Sequence, residues 1–204
     1  MSGGPQVTWT HPALPMILSM IPEDTDSLVD IGCGRGIVGA LCRIYRRPTH
    51  LVGVDAYKPY LQFCERLGFY DTCVEWQLER LPIPFRDRQF DVATCIEVIE
   101  HLPRDRGEGL LDEIARIAKC VVLTTPACFF TQEQYDANPH QAHLSAWHPR
   151  DFVRRGYRVY GVGGMRIFGK RVKYLSGALG PFTRHLPTLS DSMLCVLSAP
   201  RQGG

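Results

Sequence analysis

The chain has 204 residues, and its chemistry concentrates in a glycine-rich turn, a lone strand-end acid and two groups of histidines. In "LVDIGCGRG", Leu28 to Gly36, an apolar run meets an acid, Asp30, and then places Gly32, Gly34 and Gly36 at alternate positions. Without a Cβ, such residues let a loop take backbone angles closed to others and let a ligand reach main-chain amides. The spacing is GxGxG, with Ile at position 37, so the GxGxxG turn of a dinucleotide site is missing and hydride-transfer cofactors lose ground. Nineteen residues after Gly36, "LVGVDAY" ends a second apolar run in Asp55, where a carboxylate can accept both ribose hydroxyls of an adenosine. The imidazoles are His101, closing "EVIEH", and His140, His143 and His148 in "NPHQAHLSAWHP". Histidine is the side chain suited to take a hydroxyl proton near neutral pH.

These residues need a scaffold that gathers the ends of separate segments. Apolar runs bounded by turn signals predict strands at Ser27–Ile31, Leu51–Asp55, Cys73–Gln77, Asp91–Glu97 and Cys120–Thr125. Helical spacing fills the gaps at Val38–Tyr45, Pro59–Leu67 and Gly109–Ala118. Strands that are apolar throughout imply burial on both faces, and hence an α/β fold: a Rossmann-like, doubly wound, mostly parallel sheet in three layers. After Pro126 a polar loop runs to about Trp147, a helix follows "HPRDFVRRG", and "YRVYGVG" and "SMLCVLSA" close as an antiparallel strand pair at the C-terminal end. In such a sheet ligands bind beyond the carboxyl ends of the strands, and "DIGCGRG" occupies the foremost of those loops.

The domain expectation is a lid segment over 1–26 with a small helix around "HPALPMILSM", one domain over 27–199, and a disordered tail over 200–204. A composition of 45% hydrophobic and 22% charged residues is that of a globular protein. No apolar stretch is long enough to span a bilayer and no basic, apolar leader opens the chain, so the expectation is a soluble cytoplasmic protein. Eight cysteines without a CxxC pair read as buried reduced thiols rather than a disulfide framework or a zinc site. From Arg150 to His185 nine Lys or Arg face one acid, Asp151, which suits either an anionic partner or a solvated face.

From Asp24 to Thr125 the sequence resembles the class I S-adenosylmethionine-dependent methyltransferases. "LVDIGCGRG" is similar to the first motif of that family, and the resemblance implies that Asp30, Gly32, Cys33, Gly34 and Gly36 hold the methionine part of S-adenosylmethionine. "VGVDAY" is similar to the second, which implies Asp55 on the ribose with Ala56 beside it. "EWQLERLPIPFRDRQFDVATCIEVIEHLP" resembles the third and fourth blocks, implying Gln77 on the adenine amine, the Leu78 backbone N–H on the ring, and Glu97 facing the cofactor's ammonium. The family commonly has an acid where Gln77 stands, and an amide oxygen still accepts from an amine. Taken singly, these residues have ordinary explanations: Asp30 a cap, Asp55 a strand end at solvent, the glycines turn formers.

The resemblance implies methyl transfer from a sulfonium that is already activated, so the protein mainly aligns a nucleophile and excludes water. The expected acceptor is a small molecule of anionic or aromatic character, oxygen preferred over nitrogen or carbon, with His143 and His101 catalytic and no metal. "EVIE" stands where an NPPY-like tetrad would mark adenine or glutamine amide methylation. Two other readings stay open. Glu97, Glu100, His101 and His143 resemble the metal-binding constellation of small-RNA 2′-O-methyltransferases that act on microRNA 3′ ends, where Mg²⁺ or Mn²⁺ binds the terminal ribose and the basic tract faces phosphates. A non-catalytic scaffold that binds S-adenosylmethionine is the other. Substrate surface is expected from Ala127–Trp147 and Gly161–Pro187, with Phe129, Phe130, Tyr135, Trp147, Phe168 and Tyr174 as either ring contacts or packing. The acceptor and the oligomeric state are not written in the sequence.

Overall fold

The computed structural model describes residues 13–128, 132, 137–165 and 183–198. In chain order it contains α1 (Leu14–Met20), β1 (Ser27–Ile31), α2 (Ile37–Tyr45), β2 (His50–Asp55), α3 (Lys58–Leu67), β3 (Thr72–Glu75), β4 (Phe90–Ile96), α4 (Arg104–Ile117), β5 (Ala118–Pro126), α5 (Pro149–Val153), β6 (Arg158–Met165) and β7 (Ser190–Ser198). One seven-stranded sheet runs in the order β3-β2-β1-β4-β5-β7-β6. The first five strands in that order are parallel, while β7 lies antiparallel to both β5 and β6. The Rossmann-like expectation holds, and the closing pair is more than an edge hairpin, because β7 is inserted between β5 and β6.

Successive residues of β1 feed two cores, as burial on both faces requires. Val29 and Ile31 pack with Leu110, Leu111, Ile114 and Ile117 of α4, whereas Leu28 packs with α1, α2 and α3 through Ile17, Val38, Cys42, Leu61 and Cys64. The described part of the expected lid, α1, lies in this second core, with Ile17 fully buried and the Arg46 guanidinium donating to the Leu18 and Ile21 carbonyls. Residues 1–12 and 199–204, with the tail expectation, lie outside the described residues. No helix among them is long and apolar enough to cross a membrane.

Winding reverses between β1 and β4: β2 and β3 extend the sheet on one side, β4 and β5 on the other. The loops leaving β1, β2, β4 and β5 therefore open at the same edge, flanking the switch point. Asp91 ties the opposite edge, accepting from the Ser27 amide and hydroxyl at 2.9 Å each while Lys119 pairs with it at 2.7 Å.

Two glycines outside the motif have a packing reason. A Cβ at Gly39 of α2 would lie 2.3 Å from the Tyr70 ring, and one at Gly53 of β2 would lie 2.9 Å from it. Gly39→Ala would ordinarily stabilise a helix interior by about 0.5–1 kcal/mol. Here the ring forbids it, so urea unfolding should show Gly39→Ala destabilised, by about 1–3 kcal/mol as for an overpacked core. A stabilised variant would place Tyr70 elsewhere.

Candidate active site at the strand switch

The glycine loop is held by backbone bonds. The amides of Gly32 and Cys33 donate to the Val54 carbonyl at 2.8 and 2.9 Å, and the Gly34 amide donates to Asp55 Oδ2 at 2.8 Å. The motif glycines are needed for different reasons. A Cβ on Gly32, at φ +69, would strike Val98 Cγ2 at 2.4 Å, so that glycine clears a path for the loop after β4. Gly34, at φ +54, has nothing within 4 Å of its would-be Cβ and faces open space.

Asp55 is buried and each of its carboxylate oxygens already accepts one backbone N–H, Oδ2 from Gly34 and Oδ1 from Tyr57 at 2.8 Å. Each keeps lone-pair capacity for a second donor. Burial raises its pKa, and the backbone donors and the charge of His140 pull it back. Ala56 follows in the same turn, half-buried. Beside the loop, Arg35 lies 5.5 Å from the Tyr60 ring centre and shares a cleft with Tyr57, Phe63 and Arg66.

Asp30 sits behind the loop. It is 2% exposed and takes hydrogen bonds from the Tyr70 hydroxyl at 2.6 Å and the Thr94 hydroxyl at 2.7 Å. Burial pushes its pKa up to about 6, against the lowering effect of those two donors. Two further sequence expectations shift at β3. That strand stops at Glu75 instead of Gln77: the Trp76 amide makes the last ladder bond, to the carbonyl of Asp55 where β2 itself ends, and the Arg80 amide closes a turn on the Gln77 carbonyl. Gln77 is exposed in that turn and Leu78 is buried.

The loop after β4 carries the second half of the site. Glu97 has φ +53, a left-handed backbone rare for a side chain of its size, and its amide donates to Thr124 at the end of β5. A short 3₁₀ turn, Ile99–His101, follows. Glu100 is 2% exposed; its Oε2 accepts from Thr125 Oγ1 at 2.9 Å, and its Oε1 is buried with no hydrogen-bond partner. Burial, reinforced by the nearby Glu97 charge, drives its pKa well upward.

His143 reaches this turn from a distant loop, and the cause is backbone pairing. The amides of Leu144 and Ser145 both donate to the Glu100 carbonyl, at 2.7 and 3.1 Å, pinning the post-β5 loop onto the 3₁₀ turn. The His101 and His143 rings then lie 4.9 Å apart at 65°. Glu100, His101 and His143 each present a ligand atom within 4.8 Å of the others. His101 Nδ1 faces the Ala142 carbonyl at 3.1 Å, which places the proton on Nδ1 and leaves the Nε2 lone pair free to act. Burial lowers its pKa, favouring the neutral imidazole.

Trp147, a candidate ring contact, is instead core: 1% exposed, packed on Phe152 and under the Arg104 guanidinium at 3.9 Å. Phe129, Phe130, Tyr135, Phe168 and Tyr174 lie outside the described residues. All eight cysteines are free thiols, six of them buried, as their lack of CxxC spacing suggested. Tyr70 and Thr125, which set the two buried carboxyls, carried no sequence signal, because each acts on a residue distant in the chain.

Residues 29–120 match a family model described as a methyltransferase domain. The ubiquinone biosynthesis O-methyltransferase of Hahella chejuensis is 28% identical over 137 residues, covering 63% of this chain and 53% of that protein. The chain thus spans about half the length of the curated relatives it matches. Among solved structures, a SAM-dependent methyltransferase from Archaeoglobus fulgidus superposes with TM-score 0.62 at 16% identity, covering 90% of each chain. The small RNA methyltransferase HEN1 superposes with TM-score 0.62 at 20% identity, covering 95% of this chain and 26% of that one. The first five strands of the sheet thus fall within or beside a stretch that matches a methyltransferase-domain model, and the chain shares its fold with SAM-dependent methyltransferases of known structure.

The buried Asp30 carboxyl makes stability depend on pH. Its folded pKa of about 6 lies above that of an unfolded carboxyl, so the folded state holds the proton more tightly. The contribution is most favourable at acid pH and is lost as pH rises through about 6, on the order of 3 kcal/mol in all. Asp30→Asn should remove that component: urea unfolding at pH 5 and 7.5 should show a smaller loss in the variant than in the parent. Parallel losses in the two proteins would mean that Asp30 titrates normally.

Proposed function

We propose that the protein transfers the methyl group of S-adenosylmethionine to a hydroxyl of a small-molecule acceptor. The observation that carries this reading is the meeting, at one sheet edge, of a glycine loop bonded to a strand-end carboxylate with a pair of imidazoles beside a buried acid. Asp55, with a lone pair left on each oxygen, takes the two ribose hydroxyls; the open face of Gly34 receives the rest of the donor. Gly32, Cys33 and Gly36 shape that loop, Ala56 and Leu78 border the adenosine, and Glu97 faces the ammonium. Asp30 acts from behind, holding the loop, and Gln77 reaches the adenine only by its backbone or by reorienting. His101 Nε2 and His143 flank the acceptor hydroxyl and take its proton as the methyl moves in line from sulfur to oxygen. The O-methyltransferase relatives support oxygen as the acceptor atom.

One observation favours a second reading, a metal-assisted transfer to a terminal ribose of small RNA. Glu100 Oε1 is buried without a hydrogen-bond partner, and the Glu100 carboxyl presents an oxygen within 4.8 Å of ring nitrogens of His101 and His143, a hard-oxygen and nitrogen donor set that fits Mg²⁺ or Mn²⁺. The Thr125 hydroxyl on Glu100 and the Ala142 carbonyl on His101 would then orient those ligands. A cation there would acidify a bound hydroxyl.

Asp55→Ala should weaken S-adenosylhomocysteine by about 2 kcal/mol or more, roughly thirtyfold in Kd, by calorimetry. An unchanged Kd would remove Asp55 from the ribose.

Transfer of labelled methyl should be measured on phenols, catechols and an RNA with a free 2′,3′-diol, each with and without a chelator. We expect turnover on a small hydroxylated acceptor, and His143→Ala to lower kcat at least tenfold with cofactor affinity nearly unchanged. Chelator-sensitive transfer to the RNA alone would establish the second reading. Cofactor binding without turnover on any acceptor would leave a scaffold.

A further inference from the structure

The two thiols beside the glycine loop have no part in the transfer chemistry. Cys33 lies within the loop, and Cys64 rises beneath it from α3; they are 7% and 0% exposed. Both sulfurs approach one oxygen, the Gly34 carbonyl, Cys64 Sγ at 3.4 Å and Cys33 Sγ at 3.9 Å. Each thiol donates to that carbonyl, and the two side chains lie within hydrogen-bond reach of each other. A Cβ at Gly36 would lie 2.9 Å from Cys64 Sγ, so the glycine at the start of α2 also makes room for that sulfur. The loop is thus seated on a dithiol.

We propose that Cys33 and Cys64 form a modification site, at which an oxidant of the hydroperoxide class joins them in a disulfide that displaces the glycine loop, and a thiol reductant restores it. The balance is two thiols and one hydrogen peroxide giving one disulfide and two waters. Cys64 sulfur displaces hydroxide from the peroxide to become a sulfenic acid, and Cys33 sulfur then displaces water from it as the two remaining thiol protons leave with oxygen. Of the two, Cys64 is the first nucleophile: its Sγ lies beside Cys33, whose S–H can turn from the Gly34 carbonyl to a thiolate there and favour it.

The consequence follows from the loop's other bonds. A sulfur–sulfur bond is about 2 Å long, much shorter than a thiol–thiol hydrogen bond, so oxidation draws Cys33 toward α3. The next amide, Gly34, holds Asp55 Oδ2 at 2.8 Å, and the Cys33 amide holds Val54. Moving Cys33 strains both. This effect, unlike the disulfide itself, rests on the donor-site reading proposed above. By reciprocity, bound cofactor should hold the loop in its reduced geometry and slow oxidation.

The test treats the full chain with hydrogen peroxide, with and without S-adenosylhomocysteine, blocks residual thiols with N-ethylmaleimide, and maps peptides without reduction. Calorimetry with S-adenosylhomocysteine follows on the same samples. Expected are a Cys33–Cys64 cross-linked peptide, slower to form with ligand present, and affinity at least about tenfold weaker after oxidation. Dithiothreitol should restore affinity, and Cys64→Ser, or Cys64→Ala should the serine not fold, should keep its affinity under peroxide. Recovery of both thiols as maleimide adducts, a link from Cys64 to Cys73 instead, or the expected link with unchanged affinity would each overturn the proposal. If the reduced protein bound no S-adenosylhomocysteine, the donor-site reading and the effect on affinity would fall together, while the peptide map would still decide the disulfide.

Discussion

A carboxyl group almost without water stands behind the glycine loop, and much of this half of the molecule exists to keep it there. Asp30 belongs to β1, the strand at which the winding reverses, and its two hydroxyl donors come from β4 and from the segment after α3. Burying such a group without donors would be prohibitive. Supplying one from Tyr70 threads a phenol between α2 and β2, which is why Gly39 and Gly53 carry no side chain. The loop geometry in front of Asp30 therefore depends on glycines on two other elements. It is a single packed unit running from the Tyr70 ring to the Gly34 amide.

That dependence marks where the sequence could be read and where it could not. Strands apolar on both faces and helices between them are local patterns, so the parallel sheet and its order of elements were legible, as was the Asp55 turn. The reasons for Gly39 and Gly53 lay in a ring 31 and 17 residues onward, and no periodicity reports such a contact. Gly32 looked like a ligand-facing position but also yields to Val98, a residue of another loop. The end of β3 was misjudged because "VEWQL" is apolar enough to continue a strand, whereas its ladder partner β2 ends at Asp55. The place of β7 between β5 and β6 follows from strand pairing across the whole sheet, and pairing partners leave no local trace.

The acceptor side was legible as residue types but not as an arrangement. His101 and His143 are 42 positions apart, and spacing alone gave no reason for them to meet. Two amide bonds to one carbonyl, that of Glu100, supply the reason. The same turn buries the Glu100 side chain against Glu97, and two carboxyls in such contact do not both remain charged. A proton on Glu100, or a cation beside it, would relieve that repulsion, and the His101 and His143 rings lie within reach of the same carboxyl. The choice between an imidazole base and a metal-bound hydroxyl is therefore a choice of what balances one buried charge.

Both halves of the site are also joined by one strap. The segment from Ala137 to Ser145 carries His140, whose charge is felt at Asp55, and His143, which completes the acceptor cluster. It is tied along its length: the Gln132 side-chain amide donates to the Gln141 carbonyl, the Ala142 carbonyl faces His101, the Leu144 and Ser145 amides donate to the Glu100 carbonyl, and the Ser145 hydroxyl donates to the Ile99 carbonyl. A segment so tied keeps His140 and His143 in one frame with the sheet edge, the condition for proposed donor and acceptor groups to face each other. The proposed donor and acceptor sides are therefore held in register by one segment, whose tie to the turn after β4 is the Glu100 carbonyl.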